Sequence, residues 1–406
     1  MSVIWLINQY ASTPTSGIGG RHHHFASELS GMGHDVTLIA ARKHHLLSDG
    51  VDHSALPEQE NLYGYRFVRI KVPSYANAHD KRRVLAWLAF CAKLAVLKRS
   101  NSSTPDVIFY SSPQLIGFLG ALILAWRFRA KLVFEVRDIW PLTLMQLGGF
   151  SRYHPLIWFM SVIERAAYRR SNRVISNLYG AADHMVTVGL ERQKFAWIPN
   201  GVSLSSEQDA LPLDSNLASL VPQTGLRIIY AGTLGHANAL ENLVEAASLL
   251  TDLKDVSFLI VGRGKEEARL KRLCAEKGLT SVVFLGSVRK AEVPSVLALA
   301  DVAYIGLKND PLFHFGVSPN KLFDYFSAGR PVIYAVDSGS YKPVEMHGAG
   351  WQVPPEDPLA LANLIREIST ASKAVLAEKG KNGKAAVEET YNYQKLAVQL
   401  EKALLE

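Results

Sequence analysis

The sequence predicts an α/β protein made of two doubly wound, Rossmann-like domains, on three observations. Its 406 residues exceed what a single hydrophobic core ordinarily supports. Short apolar runs alternate with segments of helical periodicity through most of the chain, the pattern of parallel strands covered by helices on both faces. The alternation is interrupted once, over 203–221, by a stretch rich in Ser, Asp, Pro and Leu that has no periodicity. We therefore expect an N-terminal domain over 1–201, a linker over 202–222 and a C-terminal domain over 223–385.

In chain order, the first sheet should take its strands from residues 3–7, 36–40, 67–72, 107–110, 132–136 and 174–176. The second should take them from 227–231, 256–261, 282–285, 302–305, 332–335 and 350–353. From Pro358 onward the pattern is helical to the end. No repeat of fixed short period and no low-complexity tract interrupts this order.

Composition narrows the function classes. With 48% hydrophobic and 20% charged residues the chain is an ordinary globular one. Cys91 and Cys274 fall in different expected domains, each in an apolar helical context, and read as buried free thiols of a reducing compartment. No Cys/His spacing suits a structural zinc. The first residues run straight from an apolar strand into a turn, without a basic leader or cleavage site, and the longest charge-free apolar run, 115–126, is too short to span a bilayer. The net charge of +7 is concentrated before position 200, at Lys81-Arg82-Arg83, Lys98-Arg99, Arg127, Arg129, Lys131, Arg169-Arg170 and Arg173. These cations are interleaved with aliphatic and aromatic residues, which points to an anionic membrane surface rather than to nucleic acid.

The stretch 318–331, Ser-Pro-Asn-Lys-Leu-Phe-Asp-Tyr-Phe-Ser-Ala-Gly-Arg-Pro, carries the sharpest chemistry. Ser318 reads as a helix N-cap with Pro319 at the first helical position, and Gly329 as the stop. Leu322, Phe323 and Phe326 can face inward, which puts Lys321 and Asp324 on one outward face near the helix start, with Asn320 beside them. Helix-start N–H groups and an ammonium neutralise phosphate oxygens, and a carboxylate can accept both hydroxyls of a ribose, so the arrangement suits a nucleoside diphosphate. The alternative is a plain amphipathic helix whose Lys321 and Asp324 form a surface pair.

Three further constellations lie at strand ends. After the first strand come Gly17, Gly19 and Gly20, then Arg21 and His22 at a helix start. Glycines there let backbone N–H groups approach a phosphate or sugar, although the spacing lacks the third glycine of the dinucleotide fingerprint. Of the histidines at 22–24 we single out His22, nearest the glycines, and place the others along an exposed helix start. Strand 132–136 ends in Arg137 and Asp138, where open α/β sheets place ligands; the alternative is an ion pair anchoring a loop. In the second domain Gly232 and Thr233 follow a strand, and Arg263 sits in a Gly-Arg-Gly turn as a phosphate contact or a solvated cation. No Asp-x-Asp pair, nucleophile elbow or Walker loop is present, so metal-bridged GT-A transfer, serine hydrolase and kinase chemistry lose their usual support.

The 318–331 stretch resembles the signature helix of the retaining GT-B-fold glycosyltransferases of family 4, and Val-Arg137-Asp138-Ile-Trp-Pro resembles a motif of the branch found in bacterial O-antigen and polysaccharide assembly. The resemblance covers essentially the whole chain. It implies two domains facing each other, with a C-terminal helix, expected over 386–406, that returns to the first. Asp324 takes the place of the second acid of the signature, whereas Gly316 falls where the first acid is expected. Thr233 and Asn238 stand where many relatives place an arginine and a lysine that clamp the diphosphate, and Arg137 stands where many have a histidine. The glycine loop is implied to face the transferred sugar.

The activity the resemblance implies is retaining transfer of a sugar, with N-acetylated amino and deoxyamino sugars among the candidates, from a nucleoside diphosphate donor, UDP-linked above others, to a polyprenyl-diphosphate-linked glycan. It would need no metal or other cofactor and would follow a same-face route in which the donor phosphate takes the acceptor's proton. Catalytic residues would be Asp138, Arg137 and His22; donor-binding ones would be Gly19, Gly20, Gly232, Thr233, Arg263, Asn320, Lys321 and Asp324. A nucleotide-sugar epimerase of the same fold, recognised by turnover without an acceptor, and a non-catalytic membrane-associated scaffold are the alternatives. Residues 81–98 form a helix apolar round most of its circumference with cations at both ends, expected to dock the protein on the inner face of the plasma membrane from the cytoplasm.

Overall fold

The computed structural model describes residues 1–17, 19–47, 55–75, 80–98, 104–204 and 211–406. Ile18 of the glycine loop and residues 205–210 of the expected linker lie outside them. The chain divides into two compact units, Met1–Pro199 together with Tyr393–Glu406, and Asn200–Asn392.

The first unit is an eight-stranded sheet of β1 (Val3–Ile7), β2 (Asp35–Ala41), β3 (Gln59–Leu62), β4 (Tyr65–Ile70), β5 (Val107–Ser111), β6 (Lys131–Val136), β7 (Arg173–Ser176) and β8 (Phe195–Trp197). Their spatial order is β3-β4-β2-β1-β5-β6-β7-β8. All pairings are parallel except β3 with β4. Its helices are α1 (Gly20–Gly31), α2 (Arg83–Ala95), α3 (Ile116–Phe128), α4 (Leu142–Gln146), α5 (Pro155–Arg170) and α6 (Ala181–Val188).

The second unit is a six-stranded parallel sheet of order β11-β10-β9-β12-β13-β14. Its strands are β9 (Leu226–Ala231), β10 (Val256–Val261), β11 (Val282–Gly286), β12 (Val302–Gly306), β13 (Val332–Ala335) and β14 (Gly350–Gln352). Helices α7 (Ser215–Ser219), α8 (Leu240–Ser248), α9 (Glu267–Glu276), α10 (Val293–Ala298), α11 (Asn320–Ser327), α12 (Pro343–Met346), α13 (Pro358–Thr370) and α14 (Lys373–Ala386) complete it. The last helix, α15 (Tyr393–Leu405), belongs to the first unit, where it packs on α1 and buries Leu396, Leu400 and Leu404.

All twelve strands expected from the apolar runs form. Two more do as well: β3 has no apolar run to announce it, and the run that marks β8, Phe195-Ala-Trp-Ile198, is not among those expected to form strands. Strand β3 is an antiparallel edge strand with an alternating exposed and half-buried pattern, and β8 is three half-buried residues closing the opposite edge. The aperiodic stretch after Val202 contains α7, capped by the Asp214 side chain. Both cysteines are free, but only Cys274 is buried; Cys91, on α2 against α3, is partly exposed.

Candidate functional site

In the second unit the site grows from the C-terminal end of β9. Helix α11 buries Leu322, Phe323, Tyr325 and Phe326 completely, as its periodicity demands, and Gly329 ends it in the left-handed region at φ 64°. Its start differs from expectation. Pro319, not Ser318, is the N-cap, and no side chain caps the helix. The Ser318 hydroxyl is drawn away to accept from the Asn200 N–H at 2.9 Å, while the Ser318 carbonyl accepts from the Asn200 side chain at 2.7 Å. The junction segment is thereby clipped to the start of α11, whose first amides are left without a side-chain acceptor.

Lys321 points back toward the β9 turn. Its ammonium donates to the Tyr230 hydroxyl at 2.9 Å and to Asn238 Oδ1 at 2.8 Å, and lies 4.3 Å from the centre of the Tyr230 ring. Tyr230 in turn donates to the Thr233 carbonyl, and so does the Asn238 amide nitrogen, which fixes Oδ1 toward Lys321. No carboxylate pairs with Lys321 among the described residues, and burial lowers its pKa to about 7. Asp324, one turn on, is not its partner. Burial raises the Asp324 pKa to about 6, against a weaker pull from Lys290. The pair reading of this helix is thus replaced by two separately desolvated groups, each penalised in its charged form.

Glycines shape the turn around them. A Cβ on Gly262 would lie 1.9 Å from the Gly232 carbonyl oxygen, and one on Gly264 2.1 Å from that of Leu234. The two turns are held there by hydrogen bonds from the Gly232 N–H to Val261 O and from the Leu234 N–H to Arg263 O, both 2.9 Å. Thr233 and Arg263 themselves are exposed, as is Asn320. Gly316 adopts φ 91°, ψ 154°, a conformation closed to residues bearing a Cβ, so a carboxylate could not stand there without rebuilding the turn. Two residues earlier His314 pairs with Asp337 at 2.7 Å.

In the first unit Gly19 and Gly20 both sit at positive φ, 77° and 57°, where β1 hands over to α1. Behind them lies a buried polar cluster that the sequence did not reveal. Glu135, near the end of β6, accepts from Arg21 Nε at 2.8 Å, from the Ser111 hydroxyl and from His22 Nε2 at 3.3 Å. Arg21 also donates to the carbonyls of Ile198 and Pro199. Burial alone would raise the Glu135 pKa, but the Arg21 guanidinium and His22 hold it far below the usual carboxylate range. The signal available was one acid in an otherwise apolar strand and one arginine after the glycines.

His22 is therefore not open to a ligand in the manner expected; it is 4% exposed and tied to Glu135, with its pKa lowered by burial against the upward pull of that carboxylate. The expectation for its neighbours also fails. His23 is buried and hydrogen-bonds Tyr65 at 2.9 Å, and His24 stacks on Tyr393 of α15 at 4.5 Å. Both serve packing of α1. Arg137 and Asp138 form no ion pair among the described residues. Asp138 is exposed, whereas Arg137 is half-buried with an Nε that has no partner.

Two doubly wound sheets, the second offering a desolvated lysine at a strand-turn-helix, constitute the GT-B fold of nucleotide-sugar-dependent glycosyltransferases. Sucrose-phosphate synthase from Thermosynechococcus elongatus superposes with a TM-score of 0.72 at 19% identity, covering 99% of this chain and 98% of that one. Anabaena HepE, solved in complex with UDP and glucose, does so at 0.65 and 15%, covering 100% and 99%. Residues 16–201 match the glycosyl transferase 4-like domain, and 225–371 match the glycosyl transferases group 1 family. The chain belongs to this group 1, or family 4, of glycosyltransferases. Similar curated proteins include the probable glycosyltransferase WbjE of Pseudomonas aeruginosa, 26% identical over 70% of this chain and 72% of that protein. The putative colanic acid biosynthesis glycosyl transferase WcaI of Escherichia coli is 22% identical over 80% and 81%. No helix among the described residues is long and apolar enough to cross a membrane.

Proposed function

We propose that this glycosyltransferase moves a sugar, of the N-acetylated amino or deoxyamino type, with retention from a UDP-linked donor to a polyprenyl-diphosphate-linked glycan in surface polysaccharide synthesis. The observation that carries the donor half is Lys321, a half-buried ammonium held by two neutral acceptors with one N–H still to give and, among the described residues, no carboxylate paired with it. A diphosphate supplies the missing negative charge, and the uncapped start of α11 adds backbone N–H groups to the same task. Asp324 then accepts from the ribose hydroxyls, with the exposed Asn320, Thr233 and Arg263 as further donor contacts and Gly232 leaving room for the phosphates.

On the acceptor side, the glycine turn at Gly19 and Gly20 faces the transferred sugar, with the Gly19 N–H donated to the Ser12 hydroxyl at 3.2 Å, and the Glu135 cluster fixes the helix that follows. Arg137, through its unpartnered Nε, and Asp138 orient the reacting groups; His22 acts from behind, by way of Glu135. Departure of the diphosphate leaves positive charge on the anomeric carbon, so the protein's contribution is position and electrostatics rather than a covalent intermediate, and no metal is required. Similarity to WcaI and to the UDP-bound HepE supports a polysaccharide role and a UDP donor. The cations of residues 81–98 would hold the first unit against an anionic lipid surface on the cytoplasmic side. Calorimetry with UDP tests the donor half. Lys321→Ala and Asp324→Ala should each weaken binding by about one to two decades, the worth of a charge-assisted contact; unchanged affinity in both would remove the assignment.

A further inference from the structure

We propose that the outward face of α2, α3 and α5, with residues 147–162 as its most deeply seated part, is a single surface that rests on an anionic lipid bilayer. The inference deepens the lipid-linked acceptor reading and extends it well beyond the helix that first suggested it. Helices α2, α3 and α5 are successive neighbours on one side of the first unit's sheet, α2 packed along α3 and α3 against α5.

Each turns large apolar side chains outward: Leu85 and Leu88 from α2, with Val96 just after it, Ile123 and Trp126 from α3, Trp158, Phe159 and Val162 from α5. The loop before α5 adds Leu147, Phe150 and Tyr153. Tyr153 and Trp126 are 80% exposed and Trp158 67%, with the Arg152 guanidinium over the Tyr153 ring at 5.0 Å. Trp87 of α2 meets Trp140, after β6, edge to face at 5.6 Å, which joins the start of α2 to the segment leading into α4 and α5.

Charge says what covers this face. Residues 81–98, 116–131 and 139–163 contain no aspartate or glutamate, and the one acid of these three helices, Glu164, is buried against Tyr168 and His184. The exposed ionic groups are cations alone, among them Lys81, Arg82, Arg127, Arg152, Arg165 and Arg169. A solvated helix carries both signs, as α9 does with Lys271, Arg272 and Glu276 outward. A face of tryptophan, tyrosine and aliphatic side chains rimmed by cations and free of carboxylates is complementary to the headgroup layer of an anionic membrane. Chain direction adds a functional point. The starts of α2 and α5 lie at the C-terminal edge of the sheet, the edge that carries Gly19, Gly20 and Arg137, so a diphosphate at headgroup depth is brought level with the acceptor side of the site.

The test uses the full chain and vesicles of phosphatidylcholine containing roughly one-third phosphatidylglycerol, by flotation at low salt. Tyr153→Ser with Trp158→Ser should lower the bound fraction by about tenfold or more while UDP binding is retained. Quenching of tryptophan fluorescence by brominated lipid should fall markedly in Trp158→Phe. An aromatic double variant that floats as the wild type does, together with quenching unchanged in Trp158→Phe, would overturn the proposal. Should Lys81, Arg82 and Arg83→Glu nevertheless abolish flotation, docking through α2 alone would stand. A dimer that dissociates on the Trp158 change, with no vesicle binding, would give the face to a second copy and also overturn it. Transfer to a lipid-linked acceptor dissolved in detergent probes the acceptor reading without a bilayer, so the two ideas can fail separately.

Discussion

Raising the pH of the nucleotide-free protein through about 7 takes the proton from Lys321, and lowering it through about 6 puts one on Asp324. A bound diphosphate favours the ammonium, and ribose hydroxyls favour the carboxylate, so UDP affinity should pass through a maximum between those two values. The signs follow from linkage. Above about 7 the complex holds a proton that the free protein has shed, so each pH unit costs up to tenfold in affinity until the pKa of Lys321 in the complex is reached. Below about 6 the complex must release a proton that free Asp324 retains, and affinity falls in the other direction. The second ionisation of the nucleotide's phosphate, near pH 6, contributes to the acid limb alone, which makes the alkaline limb the cleaner test. Calorimetry at pH 8 in two buffers of different ionisation enthalpy counts the protons taken up, and the number should approach one. Lys321→Ala should flatten the alkaline limb and leave the acid limb in place. Affinity independent of pH between 7 and 9, or the same proton uptake in Lys321→Ala, would refute the assignment of the diphosphate to Lys321.

Other outcomes follow from the same geometry. Lys321→Met should stabilise the nucleotide-free protein at pH 6, where the buried ammonium is fully charged, by on the order of 1–2 kcal/mol, and the gain should shrink as pH rises through about 7; thermal melts across pH measure it. Gly262→Ala brings a methyl group against the Gly232 carbonyl and should cost about 1–3 kcal/mol in denaturant melts together with most UDP affinity, whereas Arg263→Ala should leave stability unchanged. Glu135→Gln strands Arg21 in the core and should destabilise the first unit by about 3–5 kcal/mol, with little change in UDP binding at temperatures where the variant stays folded. Transfer rates should be unaffected by EDTA, because Lys321 and the start of α11 stabilise the leaving diphosphate; a rate that collapses and returns with Mg²⁺ would contradict this.

The sequence disclosed what depends on periodicity. Twelve strands and the buried face of α11 follow from apolar spacing, because parallel strands and amphipathic helices must bury those residues wherever the chain goes. It also disclosed Lys321 and Asp324, since three-residue spacing on a helix fixes a shared face. What it withheld depends on partners distant in sequence. The hydroxyl of Ser318 was free to cap a helix until Asn200, 118 positions away, claimed it. Whether Lys321 met an acid depended on Tyr230 and Asn238, some 90 residues earlier. The Arg21–Glu135 pair spans 114 positions, and His22 was drawn inward with it. Strand β3 escaped for a different reason, since it is a polar edge strand without apolar alternation, whereas β8 carries the apolar run Phe195-Ala-Trp-Ile198 but is only three residues long before Pro199.

The two turns that meet at Gly232 and Gly262 are joined by main-chain hydrogen bonds and a main-chain approach that leaves no room for a Cβ. Their position is therefore indifferent to the side chains that project from them, and residues 233 and 263 can be exchanged without moving the floor on which a nucleotide would lie. A lineage with such a floor can change the chemistry it offers to base, sugar or phosphate one exposed residue at a time, at no cost to folding. Thr233, exposed on that floor, shows this freedom in a single chain, whereas Asn238 is tied both to the Thr233 carbonyl and to Lys321. The glycines beneath have no such latitude, and tolerance to substitution should change abruptly from one residue to the next along 261–264.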